Sequence, residues 1–249
     1  MPKFNDPNVT HTNIAGSHFG YSSEKPATLL ASAYCLAALT FDVSGSMEPF
    51  QQQLHEVVRK VLKSLNHSPR AENLLVRNVS FGTSVDEITG FVHLKSIDPD
   101  EVCNKLQCTS PATSLYDSAV SQVEAIRDYA IELKKQDIYA NAVLIIITDG
   151  QDNNSKHKSG LAVADTVKKI KHDEVLEQLT TILIKVNVSD PTSQQMLDKF
   201  AADAQFTQTE DASLVTESHI ARLSGFISKS VSSNTATVGT GNQSQAVTF

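Results

Sequence analysis

The chain has 249 residues, 40% hydrophobic and 20% charged, enough to bury a sizeable core without disulfide or metal staples. A formal net charge of −7 and the lack of any dense basic run argue against nucleic acid as the main partner, because phosphate binding needs a surplus of Lys and Arg on some surface. Three cysteines (Cys35, Cys103 and Cys108), odd in number and irregularly spaced, do not suggest a disulfide framework. Cys35 reads as a small core residue, and Cys103 and Cys108 read as inert rather than bridged.

In chain order, residues 1–28 are rich in Asn, Ser, Thr, His and Gly, lack the apolar core of a signal peptide, and read as an irregular arm. Leu36 to Phe41 is a short apolar run ending at Asp42, a buried strand. From Phe50 to Asn66, apolar residues recur at steps of three and four (Phe50, Leu54, Val57, Val58, Val61, Leu62, Leu65), the stripe of an amphipathic helix. Leu74 to Phe81 and Ile88 to Leu94 read as two strands around Gly82-Thr83-Ser84, a hairpin. Asp98-Pro99 opens a short helix, with proline at its favoured first position. Leu115 to about Lys135 is a long helix with Leu115, Ala119, Val123, Ile126, Ala130 and Leu133 on one face.

Ala142 to Ile147 is a continuous, mostly β-branched run ending at Thr148-Asp149-Gly150, as expected of a central strand covered on both faces. Leu161 to Lys171 reads as a helix whose Lys168-Lys169-Ile170-Lys171 is its wet face, Leu179 to Val186 as a strand, Ser193 to Ala202 as a helix capped by Ser193, and Ala212 to about Ser230 as the last helix. Residues 233–249 are polar and nearly uncharged and read as a flexible tail. No run approaches the roughly 18 apolar residues of a membrane span. With no signal peptide, the expected location is the cytoplasm, with no membrane partner.

Strands alternating with helices imply a three-layer α/β/α fold of Rossmann-like type, its mostly parallel sheet bordered by one antiparallel edge strand. Ligands in such folds bind beyond the carboxyl ends of the strands. Two strands here end in carboxylates. The first gives Asp42-Val43-Ser44-Gly45-Ser46, three oxygen side chains at alternate positions; the central one gives Thr148-Asp149-Gly150; and Thr113 opens the long helix between them. Hydroxyls and a few carboxylates, without Cys or His, suit a hard cation that wants octahedral oxygen ligands. Each piece alone also has a plain reading, as a helix cap or a turn.

Taken together, over most of residues 34–232, these motifs resemble the von Willebrand factor A (vWA) family, also called the integrin I-domain type, and its metal-ion-dependent adhesion site (MIDAS). The resemblance implies a vWA domain over residues 29–232 that binds a divalent ion, Mg²⁺ first with Mn²⁺ or Ca²⁺ as alternatives. Ser44, Ser46 and Thr113 would ligate directly; Asp42 and Asp149 would act mostly through bound waters. One coordination position would remain for an Asp or Glu of a protein partner. Many relatives have Gly-Gly before the threonine where this chain has Pro111-Ala112, which stiffens the loop and makes Thr113 the weakest assignment. By family analogy the partner is an AAA+ ATPase or a stress-response complex.

No catalytic residue is assigned. A Mg²⁺-dependent phosphoester hydrolase is one alternative, but no phosphate-binding glycine loop exists, and the one candidate base, His157, reads as a solvated loop residue. A metal-free scaffold is the other. Glu48 and Asp117 read as acids favouring helix starts, and Met47 as packed under the first loop.

Overall fold

A computed structural model describes residues 7–15, 17–157 and 159–249. Eight strands form one sheet in the order β1-β2-β5-β4-β3-β6-β7-β8: β1 (Val9–Asn13), β2 (Gly20–Glu24), β3 (Ala33–Asp42), β4 (Leu74–Phe81), β5 (Val85–His93), β6 (Tyr139–Thr148), β7 (Gln178–Val186) and β8 (Gln208–Ala212). Strands β4, β3, β6, β7 and β8 run parallel, as the βαβ alternation requires. The central pair β3 and β6 is buried along almost its whole length, which explains why both read as unbroken apolar runs.

Helices cover both faces: α1 (Gln51–Asn66), α2 (Pro99–Lys105), α3 (Leu115–Lys134), α4 (Leu161–Asp173), α5 (Pro191–Ala204) and α6 (Glu217–Thr237). Alternate residues of β3 point to opposite sides. Cys35, Ala37, Leu39 and Phe41 join the core beneath α1, α2 and α6, while Leu36 and Ala38 join the core beneath α3, α4 and α5. Within α4, Ile170 is buried among exposed lysines, the wet face its sequence implied. All three cysteines are buried and free.

The mixed end of the sheet differs from the expected single antiparallel edge strand. β5 is antiparallel to β4 but is not the edge, because β2 pairs with it in parallel and β1 pairs antiparallel with β2. Residues 9–13 and 20–24, expected within an irregular arm, are therefore ordered sheet; residues 1–6 and 16 lie outside the described residues. Polar side chains dock this hairpin, which is why hydrophobic periodicity did not reveal it. Buried Arg77 donates to Glu87 at 2.7 Å, to Gln122 at 2.6 Å and to the Gly20 carbonyl at 3.1 Å. Glu24 accepts from His93 N–H at 2.8 Å and meets its Nδ1 at 2.6 Å. Gly90 lets the strands close: a Cβ there would sit 2.2 Å from the Ser22 carbonyl oxygen.

Three further boundaries shift. β8, given no element in the sequence reading except for its last residue Ala212, is a polar edge strand, and the last helix, expected from Ala212, begins as α6 only at Glu217 behind the Thr216 cap. The cap of α5 is Asp190, not Ser193: its side chain accepts from Ser193 N–H. The stretch read as a flexible tail continues α6 to Thr237 and then folds back on the sheet. Gln178 bonds the Ser244 main chain, Gln208 donates to the Val247 carbonyl, and Phe249 packs edge-on against Phe226 with Arg222 over its face.

Candidate metal centre

The site grows from two adjacent strand ends. β3 and β6 stay in register up to Phe41 and Ile147, so Asp42 and Thr148 leave the sheet side by side. Asp42 is fully buried, and its carboxylate is held on both sides. Oδ1 accepts from Ser44 N–H at 2.8 Å, an Asx turn that bends the first loop back on itself, and Oδ2 accepts from the Thr148 hydroxyl at 2.5 Å. Ser44 is buried and its Oγ lies 3.0 Å from the Oγ of exposed Ser46, which donates to Asp149 Oδ1 at 2.8 Å. Asp42, Ser44, Ser46 and Asp149, from loops more than a hundred residues apart in sequence, thus form one hydrogen-bonded chain of oxygens.

Thr113 reaches this cluster indirectly. It is buried just before α3, and its main chain is clamped to the third loop: its N–H donates to Asn153 Oδ1 at 2.8 Å, and its carbonyl accepts from Asn153 N–H at 3.0 Å and Asn154 N–H at 3.1 Å. Among the described residues, no hydrogen bond joins it to Asp42, Ser44, Ser46 or Asp149. The second loop is nevertheless laced to the first, with Gly45 N–H donating to the Ser110 carbonyl at 2.8 Å and Ser110 N–H to the Val43 carbonyl at 3.1 Å. Ser110 also braces the loop that carries Pro111-Ala112. Its hydroxyl accepts from Thr83 N–H at 2.7 Å and fills the space beside Gly82, where a Cβ would lie 2.3 Å from Ser110 Oγ.

A second clamp holds the segment following Asp149. Asp152 accepts from Tyr116 N–H at 3.0 Å, and buried Asp117 accepts from the N–H groups of Lys156 and His157, both at 3.0 Å, while its Oδ1 lies 2.6 Å from His157 Nδ1. Burial alone would push the Asp117 carboxyl up; these hydrogen bonds outweigh it and hold the group below the ordinary carboxylate range. Asp117 is therefore a loop clamp more than a helix-dipole acid. His157, expected to be solvated, has its Nδ1 taken by Asp117 and its ring stacked on Phe19 and His18. Met47 is fully buried beneath the first loop, and Glu48 is exposed beside it.

The electrostatics suit a divalent cation. Burial pushes the Asp42 carboxyl up to about 6, with nearby Asp149 adding to the rise and the Ser44 and Thr148 hydrogen bonds only partly offsetting it. Burial also raises Asp149, against the Ser46 hydrogen bond. Among the described residues, neither carboxylate forms an ion pair with a lysine or arginine. The negative field reaches Cys108, whose thiol is pushed up to about 12, mainly by burial and then by Asp42, Asp149 and Glu48. Two acids among hydroxyls, with no ion-paired lysine or arginine and no nitrogen or sulfur donor in the cluster among the described residues, are a donor set for a hard divalent ion rather than for zinc-type chemistry.

No curated protein matches the sequence. Among solved structures, the chain is similar to proximal thread matrix protein 1 (PTMP1) from the mussel byssus, with TM-score 0.51 and 16% identity over 80% of this chain and 45% of that one. It is also similar to the D319A mutant of the PilB minor pilin from Streptococcus sanguinis (0.53, 14%, 82% and 63%) and to the open conformation of the pilus adhesin SpaC from Lactobacillus rhamnosus GG (0.55, 11%, 94% and 35%). The byssus protein has also been solved with zinc occupying its MIDAS motif, again at TM-score 0.51. At these identities the likeness is one of fold, and this chain spans less than two thirds of each of those proteins. Among the described residues, no helix is long and apolar enough to cross a membrane. Residues 36–183, well over half the chain and including Asp42, Ser44, Ser46, Thr113 and Asp149, match the family described as VWA domain containing CoxE-like protein, and the chain belongs to that family.

Proposed function

We propose that this protein is a binding module, not an enzyme, which captures an acidic side chain of a partner protein through a divalent cation, Mg²⁺ in the first instance, held by Ser44, Ser46 and Thr113 with Asp42 and Asp149 behind them. The observation that carries the reading is the hydrogen-bonded run Asp42–Ser44–Ser46–Asp149, built from two strand ends whose acids form no ion pair with a lysine or arginine among the described residues. When bound, the ion supplies a Lewis-acidic position that a carboxylate can occupy.

The chain's own residues do the rest. Thr148 and the Ser44 N–H fix the buried Asp42 carboxylate, so it stays oriented while the exposed Ser46 hydroxyl turns from Asp149 toward an ion. Because most direct donors are neutral hydroxyls, little protein charge would quench the ion, which leaves it attractive to an external Asp or Glu. The clamps from Asn153 and Asp117 tie the third loop to the segment that carries Thr113 and to the start of α3. The vWA neighbours include pilus and byssus proteins, which fits a binding role, and the zinc-occupied MIDAS of the byssus protein fits divalent loading of such a motif. A phosphoester hydrolase would need a general base at the cluster; among the described residues, the one candidate, His157, makes no hydrogen bond to Asp42, Ser44, Ser46 or Asp149.

The test is capture from an extract of the source cells on the immobilised protein and its Ser44→Ala variant, each with Mg²⁺ or EDTA. A partner held only by the unmodified protein with Mg²⁺ supports the reading, and an AAA+ ATPase or stress-response component among such partners would support the family analogy. Equal retention in all four conditions would sink it and favour a metal-independent scaffold.

A further inference from the structure

At the edge of the sheet away from β8, strand β1 turns half of its main chain outward. Lys25 N–H donates to the Asn8 carbonyl at 2.8 Å and Ile14 N–H to the Phe19 carbonyl at 3.0 Å, and the register between them runs without a shift from Val9–Glu24 to Asn13–Gly20. Opposed residues of an antiparallel pair alternate between bonded and unbonded, so Asn8, Thr10, Thr12 and Ile14 turn their main-chain groups to β2, and Val9, His11 and Asn13 turn theirs away from it. Among the described residues, no strand pairs with that outer side. β1 also has no Lys, Arg, Asp, Glu or Pro and no bulge, the usual guards of an open edge. The other edge is guarded: β8 carries Glu210 and Asp211, and its Gln208 side chain holds the Val247 carbonyl.

Beside the β1 edge lies a pocket of about 260 Å³. Thr10 and Thr12, with Tyr21 and Ser23, form its sheet wall, and Asp128 and Glu132, one turn apart on α3, stand across from them. Among the described residues, no lysine or arginine lines it. Arg127 comes within 3.8 Å of Asp128 but is hydrogen-bonded to Asp173, and Lys135 meets Glu132 only at an exposed pair. Burial pushes the Asp128 carboxyl up; Arg127 offsets this in part, and Glu132 adds to it. A cation arriving from outside would relieve that balance.

We infer that the outer edge of β1 is a strand-addition site for an extended basic segment of another protein: the segment's main chain bonds Val9, His11 and Asn13, and a Lys or Arg opposite Thr10 or Thr12 reaches Asp128 and Glu132. The two halves of the site select different things. The edge selects an extended backbone, since only a strand about 4.8 Å away can meet all three outward residues at once. The pocket selects charge and register, because side chains opposite Thr10 and Thr12 fall on the α3 side, whereas those opposite Val9, His11 and Asn13 fall on the other face. The segment therefore carries its basic residues at alternate positions. A second copy of this chain fits less well, because β1 pairing with itself would bring threonines and no lysine or arginine to the two acids, between chains of net charge −7 each. The site stands apart from the metal reading, as β2, β5 and β4 lie between β1 and the strand that carries Asp42, and no residue of the oxygen cluster takes part.

The probe is a fluorescent nine-residue peptide of valine and threonine with lysines at two alternate positions, titrated in EDTA onto the whole protein. Two companions test its halves: one with the lysines replaced by glutamate, and one with every second amide N-methylated so that it cannot add to a strand. The inference expects the first peptide to bind and both companions to fail. Asp128→Asn/Glu132→Gln should weaken binding about 10-fold or more, the scale of one lost charged hydrogen bond, and Ser44→Ala should leave it unchanged. His11→Pro, which deletes an outward N–H that β2 does not use, should abolish binding with melting retained. Hydrogen exchange on the unmodified protein guards against a folding artefact: the peptide should slow the amides of Val9, His11 and Asn13. Equal binding of the N-methylated peptide, or no added protection of those amides, would overturn strand addition. Binding unchanged by the Asp128/Glu132 pair would overturn the basic preference, and a dimer of the protein alone that His11→Pro dissolves would overturn the assignment in favour of a second copy.

Discussion

The two ends of the sheet are built on opposite terms. At the carboxyl end, the loops after β3 and β6 hold a fully buried carboxylate, a second partly buried one and a lattice of side chain to main chain bonds linking four loops. At the amino end, the turns entering β6, β7 and β8 use one plain device three times: a residue in the left-handed region, Asp137 (φ 56°), Glu174 (φ 49°) and Gln205 (φ 56°), reverses the chain after a helix. The first end holds acids raised by burial, with no ion-paired lysine or arginine among the described residues, the pattern expected of a candidate site. The second end holds nothing of that kind, yet even there glycine, the residue best suited to that conformation, is not used.

That contrast can be broken at several points. The largest effect belongs at the carboxyl end. Ser44→Ala should weaken Mg²⁺ binding by about 10–100-fold or more with little change in melting, measured by calorimetry and thermal unfolding; an equal loss from Glu174→Gly would erase the distinction. Next, Gly82→Ala should cost about 1–3 kcal/mol in urea unfolding, because the new Cβ cannot coexist with Ser110, whose side chain braces the second loop. Ser110→Gly in the same background should recover part of that loss.

The acid limb of stability comes third and is read at the mixed end of the sheet. Burial would push the Glu24 carboxyl up, but bonds from the His93 ring and N–H outweigh it and hold the group below its ordinary value. A carboxyl whose folded pKa is depressed contributes stability that is fully present above the unfolded value and is lost as pH falls through the folded one. Glu24→Gln should therefore lower stability at neutral pH and flatten its decline on acidification, followed by unfolding midpoints from pH 7 to 3. The smallest effect lies at the amino end, where Glu174→Gly should add about 1 kcal/mol by removing left-handed strain from an exposed residue, with metal binding unchanged.

How much of this was legible in the sequence follows the same physics. Strands β3, β4, β6 and β7 and helices α1, α3 and α4 announce themselves because each buries an apolar run or stripe. Four of the five candidate site residues, Asp42, Ser44, Ser46 and Asp149, lie in strand-end motifs, and the structure joins them; Thr113 is tied to the third loop by main-chain bonds with Asn153 and Asn154. What escaped is polar or distant. β1, β2 and β8 carry few apolar residues, and β2 is held by Arg77 and Glu24, contacts no periodicity encodes. The last part of α6 is lined by Asn234 and Thr235, which meet Thr180 and the main chain of the same helix, so its stripe looks hydrophilic. The Thr148 clamp on Asp42 was visible only as part of a Thr-Asp-Gly turn, although a hydroxyl directly ahead of a strand-end acid was the available signal. The roles of Ser110 and Asp117 depend on loops brought together by the fold.

The central claim is that the oxygens at the carboxyl end of β3 and β6 hold a divalent ion without being needed for the fold. Isothermal titration of the metal-free chain with Mg²⁺ tests it most directly, alongside Ser44→Ala and Asp149→Ala. The account predicts saturable binding at one site in the unmodified protein, lost in both variants, with cooperative unfolding retained by all three in EDTA. Binding that survives both substitutions, or no binding by the unmodified protein, would contradict it.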